Sequence, residues 1–325
     1  MKPEKPLTEE EFARLSEPAL RLFLSVDLEN STRLKQSAGG AISDWMREVL
    51  LFTRNFPVRF EAEIQRAGKR APRAVPYPMP PVWKTLGDEL IFVEAIRDRN
   101  HLVQLIACFT DALRAWNDDV RQSSGKGTLL VKGTAWVAGF PVVNATVKMG
   151  DGTNDYIGPS VDAGFRLGRF SKPRQITISV DLAWLLIRCE APLLVRFDGP
   201  AVVKGVAEET GYPILWLEVG RSLYVRKQAE MLGRDREVAA SDMQELCEHF
   251  IREFGVPNHL PFIPNEPDLT PVPADYLDQL GRVERFLRSE VFVVEDAGGA
   301  GEVAPPAAQD KILQRLEEQG GGSTS

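Results

Sequence analysis

Phe23-Leu24-Ser25-Val26-Asp27-Leu28-Glu29-Asn30-Ser31-Thr32 is the stretch on which the reading of this chain turns. From Arg21 to Val26 the residues are mostly apolar, too few for a helix of ordinary length, and they end on an acid. That pattern predicts a buried strand that stops at Asp27. The polar residues after it predict a turn opening a helix, where backbone N–H groups suit a phosphate. A carboxylate at the end of a buried strand is costly unless it is paired or holds a metal. Taken by itself, however, such an aspartate is an ordinary cap or turn residue.

A second acid in a comparable place lies further on. Val82-Trp83-Lys84-Thr85-Leu86 and Glu89-Leu90-Ile91-Phe92-Val93 flank Gly87-Asp88, which predicts a hairpin with Asp88 at its tip. If the strand ending at Asp27 neighbours this hairpin, two carboxylates meet. Two carboxylates together with phosphate oxygens are a common way to hold one or two Mg²⁺ ions. Ahead of the hairpin, Pro72, Pro76, Pro78, Pro80 and Pro81 crowd residues 68–83, which predicts an extended loop rather than a helix.

Elsewhere the patterns are coarser. Thr8 and Glu11 form a capping-box pair for a helix over 8–19. Trp45, Val49, Phe52 and Phe56 give helical spacing to 42–67, with Pro57 expected to kink or break it. Helices are expected at 98–122, 160–170 and 181–188, and strands at 128–138, 174–180, 193–197 and 212–219. Beyond Arg221 helical segments (226–254 and 274–290) flank the proline-spaced stretch 257–273. From Ala297 the chain is rich in Gly, Ala, Pro and Gln, with one charged helix candidate at 309–318, and reads as disordered.

Composition removes several classes of function. Of 325 residues, 43% are hydrophobic and 26% charged, as in ordinary globular proteins. The 39 basic and 46 acidic residues leave a net charge of −7, against a dedicated nucleic-acid binder. Three cysteines and three histidines support neither a disulfide framework nor a zinc site nor His-based triad chemistry. The acidic, polar N-terminus and the lack of any apolar run near 18 residues predict neither signal peptide nor membrane span. A soluble cytoplasmic protein is expected.

The segments taken together are more telling than any one of them. Phe23–Thr32 resembles the first metal-binding strand of class III nucleotidyl cyclases, and Lys84-Thr85-Leu86-Gly87-Asp88 is similar to that family's hairpin. Asp155-Tyr156-Ile157-Gly158-Pro159-Ser160-Val161-Asp162-Ala163-Gly164-Phe165-Arg166-Leu167 resembles its substrate-binding loop and helix, and Lys204-Gly205 falls where the family has a late triphosphate-contacting lysine. The resemblance implies an α+β fold with a ferredoxin-like core, a mixed sheet and flanking helices. It divides the chain into a helical segment (1–19), a catalytic domain (20–221), a helical C-terminal extension (222–296) and a tail (297–325).

Carried over residue by residue, it makes Asp27, Asp88 and the Leu28 backbone the ligands of two Mg²⁺ or Mn²⁺ ions. Lys84 and Asp155 become the pair that reads the base edge, Arg166 the arginine that steadies the transition state, and Lys204 a triphosphate contact. Asp162 stands where the family has a ribose-orienting asparagine. An ionised carboxylate there only accepts hydrogen bonds and adds negative charge beside a triphosphate. In this family the metal aspartates come from one protomer and the other residues from its partner, so a homodimer with interfacial active sites is implied.

The base is left open by the residues. A donor at Lys84 beside an acceptor at Asp155 suits adenine, cytosine or uracil, and does not exclude guanine. Bulky Tyr77, Met79 and Trp83 in the proline-rich loop suggest a pocket shrunk toward a smaller ring. A free-standing cyclase with a helical extension resembles the pyrimidine cyclases of bacterial anti-phage (Pycsar) systems. That implies UTP or CTP as substrate, UTP favoured, and a cyclic nucleotide that activates a separate effector. An ordinary adenylate cyclase and a catalytically silent cyclase-homology regulatory module are the alternatives.

Overall fold

The computed structural model describes residues 8–36, 42–70, 77–122, 129–220, 223–231 and 238–290. Residues 71–76, which include Pro72 and Pro76, and the tail from 297 with its helix candidate at 309–318, lie outside the described residues. Along the chain run α1 (Glu9–Ser16), β1 (Ala19–Leu28), α2 (Ser31–Gln36), α3 (Ile42–Arg70), β2 (Val82–Leu86), β3 (Glu89–Ala95), α4 (Arg99–Gln122) and β4 (Val131–Phe140). They are followed by β5 (Ala145–Lys148), β6 (Asn154–Ile157), α5 (Pro159–Leu167) with a 3₁₀ turn to Phe170, β7 (Gln175–Ile178), α6 (Val180–Arg188), β8 (Val195–Ala201) and β9 (Tyr212–Glu218). The last described helices are α7 (Leu223–Met231), α8 (Ala240–Phe254) and α9 (Tyr276–Glu290).

The architecture is α+β. Seven strands form one mixed sheet in the order β2-β3-β1-β4-β7-β9-β8, while β5 and β6 make a separate hairpin. Only β4 and β7 run parallel; every other neighbouring pair is antiparallel. Strand alternation sorts β1 onto two faces. Leu20, Leu22, Leu24, Val26 and Leu28 enter the main core, and Phe23 enters a second, aromatic cluster on the opposite side. Ser25 and Asp27 share the parity of Phe23 and so lie on that second face. On β4, Lys132, Thr134 and Trp136 share it in the same way.

The main core is closed by α3, α4 and α6, with Phe52, Phe56 and Phe60 from α3 meeting Phe92, Phe109 and Trp116. This explains a correction to the sequence reading: α3 runs unbroken through Pro57 to Arg70. Three fully buried phenylalanines at four-residue spacing straddle the proline, and their burial outweighs the hydrogen bond it removes. The hairpin β5–β6 was not foreseen, since four-residue strands carry too little periodicity to register, whereas the turn after Asp27 opens the expected helix, α2.

The capping box at Thr8 and Glu11 forms as expected. The C-terminal residues are not a separate layer. Met243, Cys247 and Ile251 of α8, with Ile263 and Leu269, are buried in the same main core as the sheet. The α9 residue Arg288 grips Glu9 of α1 through both guanidinium nitrogens at 2.9 and 3.1 Å and lies over Phe12.

Candidate active site

The antiparallel pairing of β1 with β3 sets Asp27 opposite Glu89, one residue past the hairpin tip at Asp88. The Leu28 N–H donates to the Asp88 carbonyl at 3.2 Å, so the two aspartates sit on adjoining backbone. Pairing with β4 sets Lys132 opposite Asp27. The Lys132 ammonium lies 3.2 Å from Asp27 and 3.8 Å from Glu29. Asp88 has its own partners: Lys35 at 2.9 Å and the Ser31 hydroxyl, both from α2. Glu89 accepts from the Ser25 hydroxyl.

The two aspartates titrate differently. Burial pushes Asp27 up to about 6; Lys132 opposes the shift, and the charges of Asp88 and Glu89 add to it. Burial alone would raise Asp88 too, but the Ser31 hydroxyl and the Lys35 ammonium outweigh it and hold this carboxyl below its usual range. Glu89 is raised, chiefly by burial and further by Asp88. Among the described residues, four carboxylates (Asp27, Glu29, Asp88, Glu89) are therefore balanced by two ammonium groups, those of Lys35 and Lys132.

That donor set fits a hard divalent cation. All its ligand atoms are oxygens, it keeps excess negative charge, and two of its members are disfavoured as anions until a further positive charge arrives. The sequence analysis missed Lys35, Lys132, Glu29 and Glu89 as members. Lys132 could not be found without the β1–β4 register, and Lys35 not without α2. Among the described residues no group of three or more His, Cys, Asp or Glu has the geometry of a ready-made metal site.

A second couple forms at the other end of the hairpin strand. The Lys84 ammonium lies 2.7 Å from an Asp155 oxygen, joining β2 to β6. The same oxygen accepts the Tyr156 N–H at 2.9 Å, so the other Asp155 oxygen and two Lys84 protons remain for a ligand. Trp83 fixes the couple from below. Its indole N–H donates to the Asn154 carbonyl at 3.2 Å, and its ring lies 4.5 Å from the Lys84 ammonium. Trp83 also meets Tyr156 and Phe165 at ring separations of 5.2 and 6.0 Å.

Of the three bulky residues expected to shape a base pocket, Trp83 borders the Lys84–Asp155 couple and the other two do not. Tyr77 stacks on His101 at 4.2 Å and donates to Asp98, and Met79 packs against the main core. Both turn to the opposite side because the aliphatic core and the start of α4 offer them more contact than the open face does.

The third couple is Arg166 with Lys204. Arg166 donates through Nη1 to the Lys204 carbonyl, across the turn that follows β8. Gly205, at φ +70°, leaves room for this, since a Cβ there would come within 2.7 Å of the same nitrogen. Asp162 lies one turn before Arg166 on α5, and both side chains are exposed. The helix can approach the sheet because Gly164 lies flat on the Trp136 indole, where a Cβ would fall 2.2 Å from the ring. Among the described residues no hydrogen bond or ion pair joins one of these three couples to another.

Neither a family model nor a curated protein matches the chain. Solved structures do resemble it. The adenylyl cyclase CyaB from P. aeruginosa is 13% identical, with a TM-score of 0.43 over 64% of this chain and 97% of that one. The guanylate cyclase domain of RhGC from Catenaria anguillulae, in complex with GTP, is 14% identical, with a TM-score of 0.44 over 63% of this chain and 100% of that one. The adenylate/guanylate cyclase/hydrolase from Silicibacter pomeroyi is 17% identical, with a TM-score of 0.43 over 63% and 99%.

Proposed function

We propose that this chain is a metal-dependent nucleotidyl cyclase that converts a nucleoside triphosphate, UTP in the favoured reading, into a 3′,5′-cyclic nucleotide and pyrophosphate. The observation that carries the reading is the adjacency of Asp27 and Asp88, 61 residues apart, in a carboxylate cluster that lacks enough cations. The catalytic domain is proposed to span 20–221, with 222–296 as its C-terminal extension.

Asp27, Asp88 and the Leu28 backbone would hold two Mg²⁺ or Mn²⁺ ions. Bound there, such ions make the ribose 3′-hydroxyl more acidic and neutralise the triphosphate and the departing pyrophosphate. The remaining roles fall to side chains. Lys84 donates to the base edge and Asp155 accepts from it. Asp162 accepts from the ribose. Lys204 meets the triphosphate, and Arg166 offers a planar donor fork to the α-phosphate as its charge rises. The 3′-oxygen bonds to the α-phosphorus, the bond from that phosphorus to the β-phosphate oxygen breaks, and the hydroxyl proton leaves to water.

A homodimer is part of the proposal. The three couples stand apart within one chain, and apolar side chains on the flanking elements (Leu86, Val147, Met149 and Ile157) are exposed as a contact surface would require. Trp83 beside Lys84 supports a pocket trimmed for a pyrimidine, and resemblance to the Pycsar cyclases supports UTP, a role in anti-phage defence, a cytoplasmic site of action and a separate effector for the product. Among the described residues no helix is long and apolar enough to cross a membrane. Asp162 in the place of an amide favours the second reading, a catalytically silent regulatory module.

The test is to incubate the purified chain with each of ATP, GTP, CTP and UTP plus Mn²⁺ or Mg²⁺, and to identify the product by mass. Cyclic UMP is expected. Cyclic AMP as the main product would sink the pyrimidine assignment, and no product from any triphosphate would favour the silent module.

A further inference from the structure

Away from these couples, a cavity opens where the sheet meets the C-terminal segment. Its walls come from the start of β1, the end of β4, the first turns of α5 and α6, and residues 257–276. The lining is apolar and aromatic: Phe140, Phe262 and Tyr276 face it together with His259. Phe262 and Tyr276 meet edge to face at 5.0 Å, and His259 lies 5.9 Å from Phe262.

The polar groups of this cavity are nearly all acceptors. Tyr276 spends its hydroxyl proton on the Phe140 carbonyl at 3.0 Å. His259 Nδ1 lies 3.1 Å from the Leu260 carbonyl, so it carries the proton there and leaves Nε2 as an acceptor when the ring is neutral. Ser160 is engaged with Asn144 and, weakly, with the Val256 carbonyl.

Asp181 is the charged member. Among the described residues it has no ion pair, and its own backbone N–H is its one hydrogen-bonding support. Tyr212 and Cys247, whose own titration the Asp181 charge raises, bring no positive charge, and His259 shares the cavity lining with it. Burial raises the Asp181 carboxyl to about 6 although part of the residue stays accessible to solvent, so above neutral pH it is an anion on a largely apolar wall. Such a group is stabilised by a donor that brings positive charge.

We infer that this cavity binds a small organic ammonium ion, its charged nitrogen on Asp181 and its apolar body among Phe140, Phe262 and Tyr276. Aromatic walls add cation–π attraction to the ion pair, and the apolar body needs no polar partner. A neutral molecule of the same shape would gain only the apolar part, and an anion would be repelled. The inference does not depend on the cyclase reading, because no residue of the three couples lines the cavity.

The probe is n-butylammonium, compared with n-butanol and butyrate on the full chain at pH 7.5, by calorimetry and ligand-observed NMR. Saturable binding of butylammonium at least about tenfold tighter than butanol, with none for butyrate, is expected. Asp181→Asn should lower the butylammonium affinity at least about tenfold while leaving butanol unchanged. Equal binding of butylammonium and butanol, or full retention in the folded Asp181→Asn protein, would overturn the proposal. Should circular dichroism show that Asp181→Asn does not fold, Val143→Trp, which fills the cavity from its wall, takes its place. Loss of binding is then expected, and undiminished binding would place the ligand elsewhere.

Discussion

The two faces of the sheet are built on opposite plans. On one, α3, α4 and α6 cover β1, β3 and β4 with aliphatic residues and phenylalanines, many of them completely buried. On the other, α5 and the β5–β6 hairpin cover the aromatic cluster around Phe23 and Trp136, and the strands run out into charged couples. The first face removes apolar area from water and carries the stability of the fold. The second gathers like charges and partly exposed donors, which contribute little to stability. The same strand serves both, because successive side chains of β1 point to opposite sides.

This contrast can be broken by substitutions that should separate stability from activity. The largest effect on rate is expected at the carboxylates. Asp27→Ala and Asp88→Ala should each lower cyclic nucleotide formation at least about a thousandfold, equivalent to about 4 kcal/mol, while the thermal midpoint barely moves. Scanning calorimetry beside a product assay checks both; a collapse of the fold would show that the couple is structural.

On the covered face the opposite pattern is expected. Phe56→Ala should cost about 3–5 kcal/mol, read from denaturant unfolding, because Phe56 meets the rings of Phe52, Phe92, Phe109 and Trp116. A loss below about 1 kcal/mol would mean that the helix layer relaxes into the void.

Arg166→Ala comes next. Steady-state kinetics should show kcat lower by about a hundredfold, or about 2.7 kcal/mol, with KM changed far less, since its contact strengthens as charge builds on the phosphate. An equal fall in binding would make it a ground-state contact.

The smallest effect is a pH dependence at the rim of the covered face. His101 is buried, and burial, reinforced by Arg97, pushes its imidazole down to about 4. Its Nδ1 accepts the Arg97 N–H at 3.2 Å, and among the described residues its Nε2 has no hydrogen-bond partner. The unfolded chain takes up a proton near pH 6.5 and the folded chain does not until near pH 4. Stability from this group is therefore complete above about 6.5 and is lost as pH falls toward 4. Thermal midpoints between pH 7.5 and 4.5 should fall less steeply in His101→Phe than in the unaltered chain.

Much of the covered face was legible because its signals are local. Apolar runs and helical spacing located β1, β3, α3, α4 and α6 to within a few residues. Pro57 misled because a propensity belongs to the residue, whereas the burial of Phe52, Phe56 and Phe60 belongs to the whole layer. The open face was legible only in part. Asp27 and Asp88 could be picked out as acids closing apolar runs, but their contact depends on strand order, and the lysines that hold them come from α2 and β4.

From its order of residues alone the chain determined an α+β fold, the strand that ends in Asp27, the hairpin that carries Asp88 at its tip, and the stretch from Asp155 to Arg166. The strand and the hairpin follow from periodicity and turn chemistry, which act over a few neighbours, whereas the stretch from Asp155 to Arg166 stood out only by its resemblance to class III cyclases. Only the tertiary structure decided that Lys132 faces Asp27, that Trp83 rather than Tyr77 borders Lys84 and Asp155, and that Asp181 closes an apolar cavity against the C-terminal segment. Each of these depends on strand register and layer packing, and contacts between residues tens of positions apart leave no trace in the spacing of either.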